Sequence, residues 1–352
     1  MAEKHNKAAL YSEETTLACE VALGLLHEAF GGFKDTLRLI GGLVPRYLAP
    51  AEPAHVGTTD VDIVLDVQVL LAGEDYSSLR DQLKKAGFQR LVRDGKASSW
   101  QWQLAVKGVD VIVEFLVNSD NPEERGLVPL DGEEISACRI PYAGMAKSWF
   151  VARTVRFARP DGAGISSETI RHADAAAFVA LKALAMKYRH EAKDVADLVH
   201  VLRHCDGAPA SIAEQYAARL AAGEYAGPLH LALETMEEMF CSDQHTEGFL
   251  KDGPGRYVQF YEINDEEERA LELRQVSGLV TEFVRLVRSS LATAGAHAVL
   301  GPERPEAIAS LGRQDASISF RLRRLPAAQP WLDGGRTQAA SPVIGFSMPP
   351  RG

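Results

Sequence analysis

The sequence predicts an α+β protein, a mixed β-sheet flanked by helices and followed by a helical C-terminal domain. Three observations carry that expectation. Up to about residue 157, helix-period and strand-period hydrophobic segments alternate and end in a run of short apolar strands. From Ser167 onward the texture changes to alanine-rich helix. Between the first strand and the second lies a Gly41-Gly42 pair, and the second strand opens with Asp60-Val61-Asp62.

Taken in order, Glu14 to Phe30 repeats apolar residues at helical spacing and meets Gly31-Gly32, a natural stop. Thr36 to Ile40 reads as a short strand, Leu43 to Leu48 as a helical piece with Pro45 in its first turn, and APAEPAHVGTT as loop. Val61 to Val69 has the near-continuous apolar character of a central strand. Tyr76 to Ala86 is an amphipathic helix closed by Gly87, followed by strands at Gln89 to Val92, Ser99 to Val106 and Val109 to Leu116. Asn118 to Gly132 reads as surface loop, with edge strands at Ile135 to Ile140 and Trp149 to Phe157.

Helices are then expected over Glu168 to Arg189, Glu191 to His204, Ser211 to Ala222 and Pro228 to Met239. Cys241 to Glu262 is mixed, Asp265 to Thr293 is a last long helix, and the Pro-, Gly- and Ser-rich remainder reads as a loosely ordered tail. The expected division is 1–162, 163–295 and 296–352.

The apolar fraction of 46% and charged fraction of 24% are those of an ordinary globular protein, so wholesale disorder is excluded. No apolar run reaches the roughly 20 residues that span a bilayer, and MAEKHNKAALYSEE has no signal-peptide core. A cytoplasmic protein without membrane attachment is expected. Cys19, Cys138, Cys205 and Cys241 show no metal-ligand spacing and read as free, mostly buried thiols. A net charge of -10 argues against indiscriminate nucleic-acid binding but leaves room for a local basic face.

The chemistry-bearing residues begin at Gly41 and Gly42, where a backbone without side chains can approach an anion closely. Asp60 and Asp62, two apart on a strand, project to one face and can share a divalent cation. The bland alternative for a bare pair is a solvated strand start. On the strand from Val109 to Leu116, Asp110 is the third candidate carboxylate, and Glu114, on the same face, is the fallback. Three converging carboxylates suit a two-metal transfer of a nucleotidyl group. Lys182 and Arg189 lie two helical turns apart, on one face, and Asp194 and Asp197 share a face of the next helix. A solvated helix-turn-helix with surface ion pairs is the competing reading of that block.

A strand into GG, followed by the T-x-D-x-D of GTTDVDIVLD, resembles the nucleotidyltransferase fold of the DNA polymerase β superfamily, in its minimal-nucleotidyltransferase branch. Ala180 to Leu202, ALKALAMKYRHEAKDVADLVHVL, is similar to the helical motif of the AbiEii toxin family, with Lys182, Arg189, Lys193, Asp194 and Asp197 at the matching positions. The resemblance covers about Thr36 to Leu202. In this sequence the loop before the aspartates is long and carries His55 in place of an arginine.

The resemblance implies a Mg²⁺-dependent enzyme that moves a nucleoside monophosphate from an NTP to a hydroxyl on RNA, such as a tRNA 3′ end, or on a protein. Its setting would be a toxin-antitoxin or phage-defence system with an antitoxin partner. Asp60, Asp62 and Asp110 would hold the metal; Gly41, Gly42, Thr59, Lys182 and Arg189 would hold the nucleotide; Asp194 would act beside Lys182. The alternative is a protein that keeps this fold but only senses nucleotide or binds a partner. His190, His200 and His204 read as scattered surface histidines, Trp100 and Trp102 as strand packing, and Arg321, Arg323 and Arg324 as part of a solvated tail.

Overall fold

The computed structural model describes residues 6–66, 79–130, 135–160, 162 and 164–300, with side chains as far as 293. Helix α1 (Glu13–Phe30) begins at Ser12, whose hydroxyl accepts from the Thr15 amide at 3.1 Å. Strand β1 (Arg38–Ile40) runs into a single 3₁₀ turn at Gly41–Leu43 and helix α2 (Val44–Leu48). After the Pro-rich loop come β2 (Asp60–Val64), α3 (Leu79–Lys85), β3 (Gln89–Arg93), β4 (Lys96–Val106) and β5 (Val109–Ser119). A short pair, β6 (Leu127–Pro129) and β7 (Ser136–Pro141), precedes α4 (Met145–Ser148) and the hairpin of β8 (Phe150–Ala158) and β9 (Ile165–Ala173).

The strands form one mixed sheet in the order β3-β4-β5-β2-β1-β9-β8. Strands β2 and β5 are parallel, while β1 and β4 flank them antiparallel. Beyond Glu114, β4 ends its pairing with β5, and from Leu116 onward β7 pairs with β5 in parallel.

Alternation along the central strands assigns the two faces. Phe115 packs edge-on against Phe30 of α1, with ring centroids 5.8 Å apart, so α1 covers the face carrying Val61, Ile63, Val113 and Phe115. Asp60, Asp62 and Glu114 therefore project from the other face, which meets helix α5 (Ala175–Tyr188).

The rest of the chain is helical: α6 (Ala192–His204), α7 (Ala210–Ala222), α8 (Ala226–Phe240), α9 (Asp252–Phe260) and α10 (Glu266–Leu300). Tyr216 ties three of them, since its ring meets Phe283 edge-on at 5.7 Å and its hydroxyl donates to the Leu229 carbonyl at 2.7 Å. One apolar core extends from α1 through the sheet to Val287, and the described residues form one compact unit. Among the described residues no helix is long and apolar enough to cross a membrane.

The fold class and the order of elements agree with the sequence, but several details differ. The helix expected to start at Glu168 starts at Ala175, and Glu168 lies in β9, paired with Val155 of β8. Asp174 makes the break: its carboxylate caps the helix by accepting from the Ala177 amide at 3.0 Å. The loop expected from Asn118 to Gly132 contains β6, and Cys241 to Glu262 contains α9. Of the four free cysteines only Cys19 is fully buried. His200 is buried, against the surface position expected for it, with its ring 4.9 Å from that of His55 and 4.8 Å from that of His204. Trp102 is wholly buried packing, as expected. Positions 67–69 of the second strand, the start of the helix from Tyr76, the arginines at 321–324 and most of the expected tail lie outside the described residues.

Candidate functional site

Four register neighbours make a row across the sheet. Ile40 on β1 lies opposite Asp62 on β2, Asp62 opposite Glu114 on β5, and Glu114 opposite Gln101 on β4. Gln101 donates its side-chain N–H to Glu114 Oε1 at 2.9 Å, fixing that carboxylate, which is 1% exposed. Just before β2, Thr58 donates its hydroxyl to Asp60 Oδ1 at 2.8 Å. Thr58 is itself held by Thr16 of α1, which accepts from its amide at 3.2 Å.

The glycine corner closes over this row. Gly41 has φ +75° and stands where any Cβ would overlap the Asp62 carboxylate, so both its conformation and its lack of a side chain are required. A Cβ on Gly42 would come within 2.7 Å of Thr58 Oγ1 and 3.1 Å of Lys193 Nζ. The corner thus lies between the carboxylates and a cation of α6.

Helices α5 and α6 supply the opposite wall through buried ion pairs. Lys182 Nζ lies 2.8 Å from Asp194 Oδ1 and 2.6 Å from Asp197 Oδ2. Arg189 grips Asp194 with Nε at 2.7 Å and Nη2 at 2.9 Å, and Lys193 Nζ is 2.6 Å from Asp197 Oδ1. Asp194 and Asp197, three apart, turn the same way on α6, so this block is an interior network and not the solvated helix-turn-helix of the competing reading.

His55, from the Pro-rich loop, completes the network. Its Nδ1 accepts from the Gly57 amide at 3.1 Å, which leaves the proton on Nε2, donated to Asp197 Oδ1 at 2.8 Å. Burial holds this imidazole below its usual pKa, and it is neutral near pH 7. His200 behind it is also pushed down, to about 3, by burial and by the neighbouring His55 and His204.

Burial works against the Asp197 charge, but Lys182, Lys193 and the His55 hydrogen bond hold its carboxyl well below the usual range. Burial also opposes the Arg189 charge, yet Asp194, with Asp62 and Asp60 beyond it, keeps that guanidinium more firmly protonated than usual. Five carboxylates, Asp60, Asp62, Glu114, Asp194 and Asp197, stand with three cations, Lys182, Arg189 and Lys193. With His55 neutral, the acidic side chains of the group outnumber the basic ones by two.

A pocket opens between the sheet row and α5, lined at one end by Gly41, Asp62, Glu114, Lys182 and Arg189. Asp110 is not among its lining residues: it is exposed, paired with Ala105 near the β4–β5 turn, two residues below the level of Asp60. Glu114, the fallback, occupies the pocket. Thr59 is half-buried just before β2 and is also absent from the lining. The sequence placed Lys193 and Asp197 in the matched helical motif and Asp194 and Asp197 on one helix face, but gave Lys193 and Asp197 no part in metal or nucleotide binding and gave His55 none at all. Arg125, in the loop before β6, also lines the pocket and carried no signal in the sequence.

No sequence family matches the chain, and no curated protein matches it. Among solved structures it is similar to an antigenic nucleotidyltransferase-like protein from Paracoccidioides brasiliensis, at 15% identity and a TM-score of 0.34, over 63% of this chain and 94% of that chain. At that level the likeness carries no argument about activity.

Proposed function

We propose that this protein is a nucleotidyltransferase that moves a nucleoside monophosphate from an NTP to a hydroxyl on RNA, such as a tRNA 3′ end, or on a protein. The observation that carries the reading is the pairing of Asp62 with Glu114 on adjacent parallel strands, facing the Gly41 corner and the cationic side of α5. The AbiEii-type motif, from Lys182 to Asp197, supports a toxin or phage-defence setting with an antitoxin partner.

The donor set fits Mg²⁺. It consists of carboxylates alone, with acidic side chains in excess of basic ones around it, and Mg²⁺ is ordinarily held by one or two carboxylates together with substrate phosphates. Among the described residues no group of three or more His, Cys, Asp or Glu side chains is arranged to hold a metal ion. Asp62 and Glu114, with Asp60 beside them, would hold the metal; when bound it would neutralise phosphate charge and lower the pKa of the attacking hydroxyl.

In the transfer, the acceptor hydroxyl oxygen forms a bond to the α-phosphorus. The bond from that phosphorus to the oxygen bridging to the β-phosphate breaks, and pyrophosphate leaves with the electron pair. The hydroxyl proton passes to a carboxylate of the row or to solvent. Gly41 leaves room for the phosphates, Lys182 and Arg189 offset charge developing on them, and Asp194 and Asp197 are positioning residues for those cations.

One observation favours a second reading, nucleotide sensing without turnover: Lys182, Arg189 and Lys193 are already engaged by Asp194 and Asp197. Incubation with Mg²⁺, each α-labelled NTP and either total tRNA or cell extract, beside Asp62→Ala, separates the two. Label transferred by the wild type and lost in the variant supports the enzyme. NTP binding with no transfer to RNA, to the protein itself or to extract supports the sensor and overturns the enzyme.

A further inference from the structure

The pocket extends past the carboxylates along α5, and its far part is chemically different. There the walls are Leu116, Ile140, Pro141, Leu181 and Leu184, and the outer rim is formed by Arg125 and Tyr188. Tyr188, on the last turn of α5, keeps 38% of its surface exposed, and the Arg125 guanidinium lies over its ring, 6.0 Å from the centroid.

A metal or phosphate has no use for such a wall. A flat, apolar-faced group does, because it buries both faces at little desolvation cost while an edge stays polar. Arg125 brings donors and no acceptor, and stacks on aromatic faces as readily as it hydrogen-bonds. Tyr188 is one residue from Arg189, so a ligand whose phosphates meet Arg189 and Lys182 carries its remaining part directly onto the Tyr188 ring.

We propose that this slot is the nucleobase site: the base of the NTP lies against Tyr188, capped by Arg125, with its inner edge against Leu181 and Ile140. The assignment deepens the reading of the carboxylate site as an NTP site and rests on it. Leu116, Ile140, Pro141, Leu181 and Leu184 offer no side-chain hydrogen bonds, so recognition of the base comes from stacking and from Arg125. Affinity for an NTP then exceeds that for the phosphates alone, and the excess depends on the Tyr188 ring.

The test is calorimetric titration of the full chain, with Mg²⁺ present, by each of the four NTPs and by inorganic tripolyphosphate, for wild type, Tyr188→Ala, Tyr188→Phe and Arg125→Ala. The expected result is that the best NTP binds at least about tenfold more tightly than tripolyphosphate, the scale of one base–aromatic stack. Tyr188→Ala should remove most of that margin without weakening tripolyphosphate, and Tyr188→Phe should keep it. Arg125→Ala should reduce it. Equal affinity for tripolyphosphate and every NTP, or NTP affinity indifferent to Tyr188→Ala, overturns the slot assignment while leaving the phosphate and carboxylate site standing. Tight NTP binding that requires Tyr188, without any nucleotidyl transfer, upholds the slot and removes the enzyme. Binding of none of these ligands overturns both.

Discussion

Asp62 and Glu114 are register partners on two parallel strands, and the strand alternation that buries Phe115 against Phe30 turns both carboxylates to the face of α5. Their placement follows from backbone pairing in the middle of the sheet, where neither strand can slip without exposing a core side chain. Nucleotidyl transfer should therefore depend on Glu114 and not on Asp110. Glu114→Gln, which keeps the shape and a hydrogen bond to Gln101, should lower transfer of labelled nucleotide by at least about 100-fold, the scale of losing a group that acts on transition-state charge. Asp110→Asn, at an exposed strand end, should stay within about twofold.

Gly41 is restricted twice, by its positive φ and by the Asp62 carboxylate that occupies the space of a Cβ. Gly41→Ala should lower stability by about 1–3 kcal/mol and weaken Mg-NTP binding together, because relief of the overlap must displace Asp62. Gly278→Ala, in the interior of α10 with open space around it, is the control and should gain up to about 1 kcal/mol. Urea unfolding of the three proteins checks both.

Asp197 accepts hydrogen bonds from Lys193 and His55 and pairs with the Lys182 ammonium at 2.6 Å while wholly buried. Asp197→Asn leaves two buried ammonium groups short of a counter-charge. It should destabilise the fold by about 3–5 kcal/mol, far more than a surface pair would. A smaller loss, below about 1 kcal/mol, would mean that the network is solvated.

The histidines set the acid side of the stability profile. His55 and His200 have folded pKa values below their ordinary 6.5, so the unfolded chain binds more protons once the pH drops below that value. Their contribution is complete above about pH 6.5 and is lost as the pH falls toward the folded value, which for His200 is about 3. Asp197, also depressed, adds its own loss below about pH 4. For His200 alone, stability should fall by up to about 1.4 kcal/mol per pH unit between pH 6 and 4, and His55 adds to the loss in the same direction. His200→Gln should flatten that slope, measurable by urea unfolding at a series of pH values.

Much of this arrangement was legible in the sequence, and its gaps have physical causes. Gly41-Gly42 and Asp60-x-Asp62 stood out because a backbone corner and a same-face carboxylate pair are local patterns. Strand β9 was missed because ISSETIRHA has the residues of a helix start and becomes a strand only by pairing with β8. Asp110 and Glu114 share a strand face, so alternation alone does not choose between them; the register with Asp62 does, and register is a long-range property. His55 becomes part of the site only when its loop meets α6, 142 residues further along the chain.

The most direct measurement is a crystal structure of the protein with Mn²⁺ in place of Mg²⁺ and a non-hydrolysable NTP analogue, read by anomalous scattering. The metal signal should lie between Asp62 and Glu114, with the triphosphate running past Gly41 toward Lys182. A metal or triphosphate bound elsewhere, with the Asp62–Glu114 row untouched, would contradict the assignment of the site.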